Sequence, residues 1–263
     1  MFSKLRSLIF KVDPEKAHSL AIKSLKFNLV PNVFDENKND PIFQAKIFDK
    51  DLDNPIGMAA GFDKNAEVYN SLFKLGFGFV EVGTITPLKQ YGNPKPRVFR
   101  LVEDEALINR LGFNNQGAQI VKERIKRNKK LGLLGINVGP NKDSSDRLND
   151  YLIGLKTFYD DADYITINIS SPNTENLRTF HEGDKLQDLL KSIMEERKNL
   201  KSNIPIAVKV SPDISEDQVN QISEILLEHE IKAIIVSNTS EATRDKLSNI
   251  QRHQKGGLSG KPI

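Results

Sequence analysis

The chain has 263 residues, of which 38% are hydrophobic and 28% charged, and a formal net charge of +3; this fits a globular protein with one sizeable core and gives no sign of a nucleic-acid partner. It contains no cysteine, which excludes disulfides, thiolate nucleophiles and a protein-ligated iron–sulfur cluster. No apolar run approaches the ~20 residues of a membrane span, and the opening MFSKLRSLIFKVDPEKAH lacks the apolar stretch and small-residue cleavage site of a secretory signal.

Residues 1–40 read as a helical extension. Phe2, Leu5, Leu8 and Ile9 recur at helical spacing. A second helix starts at Asp13-Pro14-Glu15, an N-cap acid followed by proline at the first helical position and an acid in the first turn, and continues through Ala17, Leu20, Ala21 and Leu25. Lys4, Arg6, Lys11, Lys16, Lys23 and Lys26 face only Asp13 and Glu15. A basic amphipathic pair suits an anionic membrane surface, and it equally suits a helical cap docked on the following domain. The residues alone leave both open.

Residues 41–263 form the second unit. From Asn54 onward the pattern is strand then helix, repeated. The strands are predicted at Pro55–Ala60, Gly78–Gly83, Leu133–Val138, Tyr164–Ser170, Pro205–Val210 and Ala233–Ser237. Between them lie amphipathic stretches at Ala66–Leu75, Gly117–Lys129, Asp146–Tyr159, Lys185–Leu200 and Glu216–Glu228. This alternation predicts βαβ units and a parallel sheet, either doubly wound or closed as a barrel. No G-x-G-x-x-G follows the first strand, which weakens a dinucleotide-binding reading.

The strands end in polar residues: Thr84, Asn137, Asn168, Lys209 and Asn238. Alternation puts Tyr164, Thr166 and Asn168 on one face and Ile165, Ile167 and Ile169 on the other; Ala207 and Lys209 share a face in the same way. One such Asn is an ordinary turn residue. Five strand ends together predict polar groups gathered at one mouth of a barrel, where barrel active sites are built.

Four segments carry chemistry. Ala59-Ala60-Gly61-Phe62-Asp63-Lys64 offers small residues for close approach of a planar group, and a cation. Asn109-Arg110-Leu111-Gly112-Phe113-Asn114-Asn115 offers amides that complement the C=O and N–H edge of a pyrimidine, or a turn-rich surface loop. Asn168-Ile169-Ser170-Ser171-Pro172-Asn173-Thr174 places two serines between two asparagines. A serine hydroxyl accepts a proton near neutral pH only with help, for which Thr174 is a candidate relay; the bland alternative is an Asn/Ser/Pro turn. Lys209 interrupts an apolar strand, which suits an anionic cofactor, a Schiff-base lyase, or a side chain snorkelling from the rim. The four histidines, His18, His181, His229 and His253, make no metal-ligand spacing.

Taken in order, AAGFDK, EVGTITP, NRLGFNN, GINVGPNKD, NISSPNT, VKVSPD, SNTS and GGLSGKP resemble the class 2, quinone-dependent dihydroorotate dehydrogenases, from the DPEKAH helix to Ile263. The resemblance implies an FMN-binding (β/α)8 TIM barrel that oxidises (S)-dihydroorotate to orotate in de novo pyrimidine (UMP) biosynthesis. Its electrons would pass to a membrane quinone. Ser171 matches the family's catalytic base. Lys64, the loop Asn109, Arg110, Leu111, Gly112 and Phe113, and Asn168, Asn173, Asn238 and Thr239 match its substrate contacts. Ala60, Gly61, Phe62, Asp63, Lys64, Thr84, Asn137, Asn168, Lys209, Ser237 and Gly260 match its FMN contacts. His18 and Arg100 match its quinone site, and the N-terminal helices its membrane-facing entrance. A monomer on the cytoplasmic face of a bacterial cell membrane is implied when the enzyme is complete. The class 1 enzymes use cysteine as base, which this chain lacks.

There are departures. Ser237 stands where threonine is usual, and Pro140 where lysine is common. Gly256–Ile263 is where the family continues into its last two strands, which implies a chain lacking two βα units. An open barrel would hold FMN poorly and associate through its bare edges. An inactive fragment of that enzyme and a Schiff-base lyase using Lys209 are the competing expectations.

Overall fold

The computed structural model describes residues 6, 9–29, 41–242 and 244–263. Helix α1 (Pro14–Lys26) starts as the sequence predicts: Asp13 accepts the Lys16 amide at 2.9 Å and Pro14 follows as the first helical residue. The earlier helix lies outside the described residues apart from Arg6 and Ile9, as does the expected boundary at residue 40. A hairpin comes next, β1 (Ala45–Ile47) and β2 (Lys50–Leu52), reversed by Phe48 and Asp49 at φ 50° and 63°.

The repeating units then run β3 (Gly57–Met58), α2 (Tyr69–Lys74), β4 (Phe79–Ile85), β5 (Val98–Leu101), β6 (Ala106–Asn109), α3 (Ala118–Lys126), β7 (Leu133–Val138), α4 (Arg147–Phe158), β8 (Tyr164–Asn168), α5 (Gly183–Asn199), β9 (Ile206–Lys209), α6 (Glu216–Glu228), β10 (Ala233–Ile235) and β11 (Gly257–Gly260). All six predicted strands are present in one parallel sheet, ordered β3-β4-β7-β8-β9-β10. Each parallel strand therefore lies beside the next in sequence. A doubly wound sheet would reverse its order at a switch point, so this is a segment of a (β/α) barrel. β3 and β10 each pair on one side only among the described residues, and Ile234 and Val236 at the β10 edge are exposed.

The outward face of the sheet packs on the helices. Ile165, Ile167, Ile206 and Val208 share a core with Tyr151, Leu155 and Phe158 of α4, Leu186, Leu189 and Ile193 of α5, and Ile222 of α6. Truncating any of these fully buried aliphatic side chains to alanine costs about 2–5 kcal/mol. A smaller cluster of Leu52, Leu133, Tyr164 and Ala207, with Ile47, Phe48 and Phe79, places the β1–β2 hairpin under the amino ends of the strands. That leaves the carboxyl ends as the open mouth.

A second sheet was not expected from the sequence. β5, β6 and β11 form an antiparallel sheet in the order β11-β6-β5, around Phe99, Leu101, Ile108, Leu247 and Leu258. NRLGFNN therefore begins on a strand: Asn109 ends β6 and faces Gly257 in register. α1 packs against the barrel body. Leu25 enters the main core, Ser71 Oγ donates to the Leu25 carbonyl at 3.0 Å, and Lys26 pairs with Glu67 at 3.0 Å. At its other end Glu15 takes two hydrogen bonds from Arg97, at 2.6 and 3.1 Å.

Candidate active site

Three inward-facing side chains at the carboxyl ends are wired together. Asn168 Nδ2 donates to Thr84 Oγ1 at 2.9 Å and to Asn137 Oδ1 at 3.1 Å. Thr84 Oγ1 donates to the same Asn137 oxygen at 2.6 Å. Above them, Ser170 Oγ donates to Asn168 Oδ1 at 2.7 Å, and Asn238 Nδ2 donates to Ser170 Oγ at 2.9 Å. The β7–β8–β9 register sets Asn137 beside Thr166 and Asn168 beside Lys209. Four of the five predicted strand-end residues are thus joined by hydrogen bonds, and Lys209 stands beside them.

Lys209 is 9% exposed and has no hydrogen-bond or ion-pair partner among the described residues. Burial pushes its ammonium pKa down, and Glu81 opposes that shift.

The loop after β3 is stitched to β4: Gly61 N–H donates to the Gly83 carbonyl at 2.8 Å, and Gly83 N–H to the Asp63 carbonyl at 3.0 Å. Gly61 has φ +108° and open space where a Cβ would stand, so a flat group can approach its backbone. Asp63 is buried, and its carboxylate accepts the amides of Val68 and Glu67 at 2.7 and 2.8 Å. Its side chain is spent on the local turn. Lys64 Nζ donates to the Gly61 carbonyl, and desolvation brings its pKa down to about 8.

Ser171 and Thr174 are 4% and 3% exposed; Ser171 Oγ accepts the Asn173 amide at 3.2 Å. Asn173 Nδ2 reaches Asn109 Oδ1 at 3.5 Å, so the β6 and β8 loops meet. Gly112 and Phe113 turn the loop after β6, at φ 70° and 52°. Arg110 turns away: its guanidinium lies 4.5 Å from the Phe99 ring centroid and bonds Gln254, the Lys255 carbonyl and the Pro96 carbonyl. Thr239 Oγ1 is buried without a hydrogen-bond partner among the described residues, while Ser237 Oγ donates to the Asn238 carbonyl at 3.1 Å. Gly260 is exposed and registers with Ala106, at the end of the ladder remote from Asn109.

His18 and Arg100 belong to the α1 face. The His18 ring packs edge-on against Phe62, with centroids 5.2 Å apart; burial and then Lys64 hold its pKa below the usual imidazole value. Arg100 donates to the Val12 carbonyl at 2.7 Å and lies over the Phe10 ring at 4.8 Å.

Sequence reasoning missed three residues that hold the site. Asn93 Nδ2 bridges the Arg110 and Asn173 carbonyls at 3.0 and 3.2 Å. Arg178 bonds the Ser170 and Thr239 carbonyls at 3.2 and 3.1 Å while pairing with Asp213 and Glu241 at 2.9 and 3.2 Å. Glu81 lies beneath the amides at 4% exposure and accepts from Asn137, Tyr164 and Thr166. Only Glu81 left a signal, an acid inside the apolar run Phe79-Val80-Glu81-Val82.

A barrel mouth built from buried amides, a cation with no hydrogen-bond partner among the described residues and an open glycine backbone is the plan of a barrel enzyme that binds a flat, hydrogen-bonding ligand. Comparison with known proteins gives the family. Residues 42–263 match the family described as "Dihydroorotate dehydrogenase". Over 268 residues the chain is 46% identical to "Dihydroorotate dehydrogenase (quinone)" of Agrobacterium fabrum, covering 100% of this chain and 73% of that protein. It is 48% identical over 265 residues to the protein of the same description from Bartonella tribocorum, covering 98% and 72%. A crystal structure of DHODH from Eimeria tenella in complex with ferulenol superposes with a TM-score of 0.90 at 36% identity, over 95% of this chain and 73% of that one. The chain belongs to the dihydroorotate dehydrogenase family.

Proposed function

We propose that this protein oxidises (S)-dihydroorotate to orotate, using FMN and passing the electrons to a membrane quinone, as a step of pyrimidine synthesis. The observation that carries this is Lys209: a 9%-exposed cation with no hydrogen-bond or ion-pair partner among the described residues, in register with Asn168 and beside the amide chain. Such a site needs an anionic, hydrogen-bonding ring. The names of the Agrobacterium and Bartonella relatives supply the substrate and acceptor.

The residues present fit FMN. Lys209 offers a cation, Gly61 an unobstructed backbone, and Thr239 Oγ1 an unpaired polar atom. Thr84, Asn137 and Asn168 offer the hydrogen-bonding wall. FMN, when bound, supplies the hydride acceptor. The chain's own residues manage the rest. The loop asparagines Asn109, Asn173 and Asn238 hold the amide edge of the substrate, and Lys64 answers its carboxylate. Ser171 Oγ takes the proton from C5 as the hydride leaves C6, so the substrate loses two electrons and two hydrogens. Thr174 stands three residues on, buried, to relay that proton.

The quinone side belongs to α1. His18 touches Phe62 of the loop assigned to the flavin, so the two sites adjoin. Leu20, Phe27 and Leu29 are 56%, 71% and 71% exposed, on a segment that also carries Lys16, Lys23 and Lys26. No described helix is long and apolar enough to cross a membrane. An apolar patch with basic neighbours suits peripheral binding to an anionic bilayer, placed here at the cytoplasmic face.

The deciding experiment is the absorbance spectrum of the purified protein, followed by steady-state assays with quinone, fumarate and NAD. A yellow protein preferring quinone supports the reading. A colourless protein in which borohydride traps a substrate carbon on Lys209 establishes the lyase instead.

A further inference from the structure

Among the described residues, Glu81 is a buried charge that the proposed chemistry does not use. Glu81 sits mid-strand in β4 between Val80 and Val82, both 0% exposed. Burying a carboxylate is costly unless its oxygens are hydrogen-bonded. Here they are: Oε1 accepts from Asn137 Nδ2 at 2.9 Å, and Oε2 accepts from Tyr164 Oη and Thr166 Oγ1 at 2.9 and 2.8 Å.

We infer that Glu81 is a positioning residue, the fixed acceptor that sets the orientation of Asn137, the lowest amide of the chain running through Asn168 to Asn238. This rests on reading the barrel mouth as the flavin and dihydroorotate site. A carboxylate is acceptor-only, whereas an asparagine amide presents a donor at one end and an acceptor at the other. Glu81 turns the Asn137 NH2 toward itself and leaves Asn137 Oδ1 for Thr84 and Asn168. The next links run the same way, Ser170 to Asn168 and Asn238 to Ser170.

The upper links are fixed by groups that cannot change role. Ser170 N–H donates to Asn168 Oδ1 at 3.1 Å, and Thr239 N–H to Asn238 Oδ1 at 2.7 Å. With backbone donors above and a carboxylate below, every amide in the cup has one allowed orientation. A flipped Asn137 would oppose its NH2 to that of Asn168 and leave Glu81 facing a carbonyl oxygen. Fully satisfied networks of this kind hold a single geometry, and half-satisfied ones do not.

The test exchanges donor and acceptor. The wild-type enzyme is measured first, for FMN content and for orotate binding through the flavin absorbance shift. Absent flavin or absent orotate binding defeats the functional reading, whatever Glu81 does. Asn137→Asp removes the donor and sets two carboxylates together, and orotate affinity should fall about tenfold or more, the effect of losing one buried hydrogen-bond partner. Glu81→Gln keeps an acceptor for Asn137 while removing the charge that supports the Lys209 cation, and should lose less affinity than a variant with no acceptor. The double variant Asn137→Asp with Glu81→Gln restores the pair with its direction reversed, Gln Nε2 to Asp, and should recover most of the affinity. If Asn137→Asp does not fold, Glu81→Met fills similar volume without an acceptor and should lose about tenfold where Gln does not. A double variant no better than Asn137→Asp overturns the inference, as do equal affinities for the Met and Gln variants.

Discussion

The strand-end cup and the α1 face are built in opposite ways. In the cup, Asn137, Asn168 and Ser170 are 0%, 3% and 0% exposed, and each polar atom is held by another that is itself held. On the α1 face the anchors are few, the ion pairs of Glu15 with Arg97 and Lys26 with Glu67 and the buried Leu25, and Leu20, Phe27 and Leu29 stand in solvent. Under the proposed function, the difference separates two tasks. Proton and hydride chemistry needs donors fixed before the substrate arrives. Meeting a bilayer needs uncovered apolar surface and only enough attachment to stay in place. The two half-reactions should therefore be breakable one at a time.

The largest effect is expected in the cup. Ser171→Ala should keep FMN and slow flavin reduction by dihydroorotate about 10²–10⁴-fold, the contribution of a positioned general base; stopped-flow absorbance reads it directly. Reduction at the wild-type rate would return Ser171 to the status of a turn residue. On the other face, replacing Leu20 and Phe27 by glutamate should lower binding to anionic liposomes and quinone turnover about tenfold or more, because two exposed apolar groups are lost and two like charges added. Flavin reduction should not change. A parallel loss in both assays would erase the distinction between the regions.

A third effect follows from Lys64. Its pKa is down to about 8, so the cation is present below that value and is lost as pH rises through it. The dihydroorotate KM should rise roughly tenfold between pH 7 and pH 9, and Lys64→Arg should remove most of that rise. The smallest effect concerns α1. The Arg97 hydrogen bonds hold the Glu15 carboxyl below its ordinary value. The resulting stability is present above the ordinary carboxylate pKa and is lost as pH falls through the lowered one. Hydrogen exchange in α1 should quicken over that acid range by an amount equivalent to about 1 kcal/mol. In Glu15→Gln the acid dependence should vanish.

What the sequence alone determined is what depends on near neighbours. Short runs rich in Ile and Val between longer amphipathic stretches marked the six strands, and period-2 alternation set Ile165 and Ile167 on the face toward the helices and Thr166 and Asn168 on the other. Asp13-Pro14 marked the start of α1 because capping is decided within one turn. Tertiary structure decided whatever depends on a distant partner. β11 finds β6 across about 150 residues, a pairing no local pattern announces. Arg110 sits in a motif rich in amides, yet its guanidinium serves Pro96 and Gln254. Arg178 reads as a surface arginine until three loops close around it. Glu81 acquires its meaning only when β4, β7 and β8 bring Asn137, Tyr164 and Thr166 to one carboxylate. Hydrophobic alternation is written residue by residue along the chain. The partner of a buried donor is chosen by the fold, because every such donor must be satisfied wherever the chain brings it.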